Sequence, residues 1–190
     1  MDTWEQNQRV QLVMLSARLK SQGEDWLDAQ FSDVVQANEE VTAKLKESGS
    51  VGNRMEINEM DKCGYHVDVD GNANAWEGLF WKLMSGSPVF KIQSSHHFEQ
   101  WYYERLRPWV HYIPVKPDLS DFSQHFKWAY ENPEKTAEMV ACAARAMLDI
   151  TFHEQVKWGS IVLESVLNQY VGPLVGDLDQ VPVLEVDITY

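Results

Sequence analysis

The stretch from Asp70 to Gly78 holds the residues best suited to chemistry. Its turn of small residues, Gly71-Asn72-Ala73-Asn74-Ala75, lets backbone come close to a ligand. A helix starting just after it would present unpaired N–H groups in its first turn. An anion gains from those donors and from the helix dipole, about 0.3–1 kcal/mol for the dipole at an exposed site. Trp76 would either shield such a site or simply pack. Glu77 competes with a phosphate there, but its carboxylate can accept hydrogen bonds from a sugar or ribose hydroxyl. The same corner also forms with no ligand at all, because a lone glycine turn is a weak signal.

Two metal chemistries occupy the same residues. Asp68-Val69-Asp70 resembles the Asp-x-Asp with which some glycosyltransferases hold a divalent ion on a diphosphate. His66, Asp68, Asp70, Gly71, Asn72 and Glu77 also fall where a twelve-residue calcium loop places its ligands and glycine. Against calcium stand the imidazole of His66 at the first position and Ala73 near the middle. The entering segment, moreover, alternates as a strand. His96-His97 with Glu99 lacks a metal-ligand spacing, and adjacent side chains of an extended chain point opposite ways. His111, flanked by aromatic and apolar residues, reads as a satisfied core histidine. Trp101, Tyr102 and Tyr103 suit stacking on a base or sugar and core packing equally.

The elements that must position these groups follow from periodicity. Val10 to Leu15 is a short, branched apolar run that predicts a buried strand. Residues 24–50 read as short helical pieces and loops ending at Gly49, Gly52 and Asn53. Tyr65 to Val69 alternates as a strand. Trp76, Leu79, Phe80 and Leu83 then fall at helical spacing, and Ser85-Gly86-Ser87 stops that helix. Pro88 to Ile92 predicts a second strand and Val110 to Val115 a third. Leu119, Phe122, Phe126 and Ala129 form one helical stripe. Asn132-Pro133-Glu134 starts another helix, with Ala137, Val140, Ala141, Ala144, Met147 and Leu148 as its buried face. A last helix, about 154–172, carries Val156, Leu163, Val166, Leu167 and Tyr170 and ends at Gly172-Pro173. Strands alternating with helices predict an α/β fold with a Rossmann-like parallel sheet and flanking helices. One domain is expected over 1–173, with 174–190 as a peripheral tail. Ligands of such sheets bind beyond the carboxyl ends of the strands, which singles out the turn after Val69.

Composition narrows the functions. The 190 residues carry 16 Lys and Arg against 29 Asp and Glu, a net charge of -13 that disfavours nucleic acid and anionic lipid as partners. No apolar run approaches the roughly 20 residues of a membrane span. The start, Met1 to Gln6, lacks the basic and apolar regions of a signal peptide. Cys63 and Cys142 make no disulfide framework, so a reducing, cytoplasmic setting is expected. Aromatic residues at 12% call for large packed or stacking surfaces.

Several runs together resemble glycosyltransferase family 90. They are Tyr65-His66-Val67-Asp68-Val69-Asp70-Gly71-Asn72, Leu83-Met84-Ser85-Gly86-Ser87-Pro88-Val89-Phe90-Lys91, Trp101-Tyr102-Tyr103, and Leu106-Arg107-Pro108-Trp109-Val110-His111-Tyr112-Ile113-Pro114-Val115, closed by Asp118-Leu119-Ser120-Asp121. Gln8 to Ser16 is similar to the strand that begins the family's second half, so the resemblance covers about 8–150. The family includes protein O-glucosyltransferases, capsule-associated xylosyltransferases and bacterial members linked to lipopolysaccharide, the last being the expected type.

The resemblance implies the C-terminal, donor-binding half of a GT-B enzyme. Such an enzyme moves a hexose or pentose from a UDP-sugar to a hydroxyl of a glycan, lipopolysaccharide, capsule or protein. Transfer would be inverting, with no metal and no cofactor. Arg9 matches an arginine that contacts the donor, and Asn72, Ala73, Asn74, Ala75, Trp76, Glu77 and Gly78 match the donor-binding loop. Many relatives carry an arginine where this chain has Gly78, which leaves backbone N–H groups, Arg9 and a back-reaching Lys82 for the diphosphate. The family's catalytic aspartate belongs to the first half, so no catalytic residue is named. An N-terminal partner half or a homo-oligomer is expected to cover an apolar face. The alternative is a non-catalytic sugar-nucleotide-binding or regulatory module.

Overall fold

The computed structural model describes residues 4–35, 37–60, 62–71, 73–75 and 77–170. The expectations for Asn72, Trp76, the Gly172-Pro173 stop and the 174–190 tail lie outside these residues. Three parallel strands form the sheet: β1 (His66–Asp68), β2 (Val89–Ile92) and β3 (Ile113–Val115), in that spatial order. Asp68 stands opposite Lys91 and Phe90 opposite Ile113. Parallel neighbours require a crossover, and the helix Gly78–Met84 makes the first one. An irregular aromatic segment with one 3-10 turn at Tyr103–Arg105 makes the second. The sheet and its flanking helices agree with the α/β, Rossmann-like expectation.

Helices in chain order are α1 (Gln8–Ser21), α2 (Glu39–Glu47), α3 (Ile57–Met60), α4 (Gly78–Met84), α5 (Phe122–Glu131), α6 (Pro133–Leu148) and α7 (Phe152–Tyr170). One face of the sheet is apolar. Phe90, Ile92, Ile113 and Val115 pack there against Leu12, Leu15 and Leu19 of α1 and Phe122 of α5, with Tyr65, Val67 and Val69 beside them. Successive strand residues point to opposite faces, so His66 and Asp68 share the other one, and Asp70 follows two residues past the end of β1. All three are buried. α4 covers that side, its Trp81 ring edge-on to His66 at 5.2 Å.

The stretch Val10 to Leu15 is not a strand. It lies inside α1, capped by the Asn7 side chain, whose oxygen accepts from the Arg9 N–H at 2.9 Å. Gln8, Leu12, Leu15 and Leu19 are buried at steps of four, three and four, and Arg18 and Lys20 face the negative end of the dipole. A short apolar run broken only by Gln11 has no period to separate a strand from a helix buried on a wide face. The buried side of α6 is also turned from the expected one. Thr136, Met139, Ala143 and Met147 are inside, whereas Ala137, Ala141 and Leu148 are exposed. The third strand is shorter than expected, because Trp109 adopts a left-handed φ of 62° and the chain turns there before Ile113.

Contacts divide the chain into one unit up to Leu148 and another from Asp149. In the second, α7 leaves Phe152, Trp158, Ile161 and Leu163 exposed. Among the described residues, no helix is long and apolar enough to cross a membrane.

Candidate functional site

The carboxyl ends of β1 and β2 open onto a cleft of about 430 Å³, lined by Trp4, Asn7, Gln8, Asp70, Gly71, Ser94, Ser95 and His96. The amino end of α1 is tied to this edge. Gln8 Nε2 donates to the carbonyls of Gln93 (2.8 Å) and Pro117 (3.1 Å), the residues just past β2 and β3. That tie sets the positive end of the α1 dipole over the strand ends.

Arg9 follows directly on the helix. Its Nε donates to the Asp70 carbonyl at 3.1 Å, across 61 residues of sequence. The guanidinium lies so close that a Cβ at Gly71 would stand 2.9 Å from both Cζ and Nη2. The structure thus brings together Arg9 and the turn, the two parts expected to share a ligand. A side chain at Gly71 would displace the Arg9 guanidinium through that close approach, not through its φ.

Within the turn, the Gly71 amide donates to the Ala73 carbonyl (2.9 Å) and the Gly78 amide to the Ala75 carbonyl (2.6 Å). Those two amides therefore brace the turn itself instead of facing outward. Ala73 and Glu77 are exposed, while Asn74, Ala75 and Gly78 are half-buried. The Asn74 side-chain nitrogen is buried and, among the described residues, has no hydrogen-bond partner. Lys82 turns to the buried face of the sheet. Its Nζ donates to Asp68 Oδ1 at 2.8 Å, close beside Gly78.

The two aspartates of the Asp-x-Asp have different surroundings. Asp68 is wholly buried, with Lys82 on one oxygen and Lys91 Nζ 3.4 Å from the other. Lys91 also donates to the Tyr103 hydroxyl at 3.2 Å and sits 4.5 Å over its ring. Burial, reinforced by the charges of Asp68 and Asp70, pushes the Tyr103 phenol well above its ordinary value and keeps it a neutral donor. Asp70 is 4% exposed, and among the described residues neither carboxylate oxygen has a hydrogen-bond partner. The ammonium groups on Asp68 occupy the oxygens a calcium or diphosphate metal would need. Among the described residues, no three His, Cys, Asp or Glu are grouped to hold a metal.

His111 is a structural acceptor. Its Nδ1 accepts the Arg107 N–H at 2.8 Å, and burial followed by the Arg107 charge lowers its pKa from the ordinary 6.5. Of the aromatic triplet, Tyr102 packs edge-on against Phe80, Tyr103 serves the Lys91 cluster, and Trp101 is exposed. Sequence reasoning passed over Lys91, Gln8 and the environment of Asp70. Lys91 could have been found as a charge inside the apolar run Val89-Phe90-Lys91-Ile92, and Asp70 as the third polar residue at strand spacing after His66 and Asp68.

Residues 3–157 match the family model described as Glycosyl transferase family 90. The chain is 37% identical over 128 residues to Protein O-glucosyltransferase 3 of Rattus norvegicus, covering 67% of this chain and 23% of that protein. Identity with the Homo sapiens protein of the same name is 34% over 132 residues, 70% of this chain and 24% of the relative. An uncharacterized protein, 035R, of Invertebrate iridescent virus 3 is 29% identical over 142 residues, 72% of this chain and 13% of its own length. The matched regions thus amount to about a quarter or less of these relatives.

Proposed function

This chain belongs to glycosyltransferase family 90, and on that premise we propose that it binds the nucleotide-sugar donor of a sugar-transfer reaction. The donor is a UDP-sugar. Its diphosphate lies between Arg9, the amino end of α1 and the turn from Gly71 to Gly78. The acceptor is a hydroxyl of a glycan, a lipopolysaccharide or capsule, or a protein. In the reaction, a carboxylate base outside this chain's donor site takes the hydroxyl proton. The oxygen then attacks the anomeric carbon, and the bond to the UDP oxygen breaks with inversion. Charge developing on the leaving diphosphate falls to Arg9 and to the α1 dipole, without a metal. The base comes from an N-terminal half of the same enzyme or from a partner chain.

The observation that carries this reading is the seat of Arg9 against Gly71. A guanidinium at the carboxyl edge of a parallel sheet, beside a turn with no side chain in the way, suits bidentate contact with phosphate oxygens. In a chain of net charge -13, a cation held at the strand ends is otherwise hard to explain by solubility or surface balance.

Hydrogen exchange with and without millimolar UDP-glucose tests the reading. Slowed exchange at Gly71–Gly78 and in the first turn of α1, lost in Arg9→Ala, is expected. Unchanged exchange in both segments would refute it.

A further inference from the structure

We infer that Asp70 is the group in this cleft that reads ligand hydroxyls, and that its ligand is a pair of adjacent hydroxyls on a neutral sugar ring. The inference rests on the donor reading above for where that ring comes from, the ribose or the transferred sugar. Its starting point is independent of that reading. An ionised carboxylate buried without a partner costs several kcal/mol, so native structures pair such groups. Asp70 is 4% exposed, and both its oxygens are unpartnered among the described residues. Its neighbour Arg9 spends Nε on the Asp70 main-chain carbonyl, not on the carboxylate.

The chemistry of the missing partner follows from the lining. A carboxylate only accepts hydrogen bonds, and its two oxygens suit two donors side by side. A phosphate placed on Asp70 would be repelled, so the anionic part of a ligand belongs on the Arg9 side of Gly71. A cation would need further carboxylates, and Asp68 is held by Lys82 and Lys91. A vicinal diol meets both conditions. Ser94, Ser95 and His96 add hydroxyl and ring partners across the cleft, and Trp4 adds an aromatic wall on which an apolar sugar face can stack. The cleft volume of about 430 Å³ is in the range of small-ligand sites.

The test titrates the full chain and Asp70→Asn calorimetrically with UDP-glucose, UDP and 2′,3′-dideoxy-UDP. It also follows exchange at Asp70–Gly71 and Ser94–His96 with high free ribose or glucose. Asp70→Asn should weaken diol binding about tenfold to a hundredfold, the worth of hydrogen bonds to a charged acceptor. If ribose is the source, the variant loses the preference for UDP over its dideoxy analogue. If the transferred sugar is the source, it loses the preference for UDP-glucose over UDP. The melting temperature of the ligand-free variant should equal or exceed that of the native chain, because an unpaired buried charge is gone; a merely structural aspartate would lower it. Native affinity of Asp70→Asn for all three nucleotides overturns the inference. A native chain that binds no nucleotide, yet is protected by free sugar only when Asp70 is present, refutes the donor reading and upholds this one. Protection by neither nucleotide nor sugar overturns both.

Discussion

Gly71→Ala should weaken donor binding while leaving the fold intact, and the structure sets the size of both effects. The new Cβ would stand 2.9 Å from Arg9 Cζ and Nη2, where ordinary contact starts at 3.4 Å, so the guanidinium must retreat by at least 0.5 Å. Its Nε bond to the Asp70 carbonyl is already 3.1 Å and would be lost in that movement. The backbone gives no resistance, since Gly71 lies outside the left-handed region, and the clash is with the far end of a flexible side chain. The entropic gain of Gly→Ala, about 0.4–1 kcal/mol, roughly offsets the lost bond, so folding stability should change by less than about 1 kcal/mol. Binding behaves otherwise. A displaced Arg9 forfeits a charge-assisted contact with phosphate worth about 1.5–3 kcal/mol, or some tenfold to a hundredfold in Kd for UDP. Arg9→Ala should produce a loss of the same size, and the double variant should be no worse than either single one, because both remove one contact. Calorimetry on the four proteins closes the cycle. If the two losses multiply in the double variant, or Gly71→Ala binds UDP as the native chain does, the shared seat of Arg9 and Gly71 is not where the diphosphate binds.

Asp68→Ala strands the ammonium of Lys91, which is nearly buried, and should cost about 3–5 kcal/mol in urea unfolding; Lys82→Met should cost clearly less, because Lys91 still neutralises the carboxylate. Asn7→Ala removes the α1 cap and should cost about 1 kcal/mol, whereas a strand at Val10 to Leu15 would leave stability unchanged. Acidification should destabilise the chain through His111. The unfolded chain takes up its proton near 6.5 and the folded chain only at lower pH, so stability present above that value falls as pH drops below it. Denaturation midpoints compared at neutral and mildly acidic pH should show this slope, and His111→Asn should flatten it. An unchanged slope would dissociate it from His111.

The centre of the chain was legible because its signals are local. Alternation at Tyr65 to Val69, the left-handed Gly86 (φ 90°) between α4 and β2, and the Asn132-Pro133 start of α6 each act within a few residues. What failed depends on tertiary contact. Val10 to Leu15 is apolar but for Gln11 because α1 is packed on a wide face, and only the positions of Gln8 and Leu19, outside the run, disclose the helical step. The face of α6 is set by its packing against α4 and α5, which choose Thr136 and Met139 over the equally small or apolar Ala137 and Val140. At the site, spacing and resemblance pointed to Arg9 and the turn. Their juxtaposition, and the internal use of the Gly71 and Gly78 amides, depends on contacts between residues that no local pattern links.

The Asp-x-Asp makes the general point sharper. Residues 68 and 70 have the same side chain, strand spacing in the sequence and nearly the same burial, so no sequence pattern separates them. What separates them is the position of two cations. Lys91 faces Asp68 because the register of β1 on β2 puts them opposite each other, and Lys82 reaches it from one turn into α4. Both lysines are fixed by elements that end before the cleft begins. Asp70 lies two residues further along, past the last paired position of β1, and among the described residues it is ion-paired to neither ammonium. The same geometry that buries a satisfied charge inside the sheet leaves the next one unsatisfied at its rim, where a ligand would complete it. A strand whose polar face is buried thus changes role along its length, from holding the fold at Asp68 to waiting for a partner at Asp70.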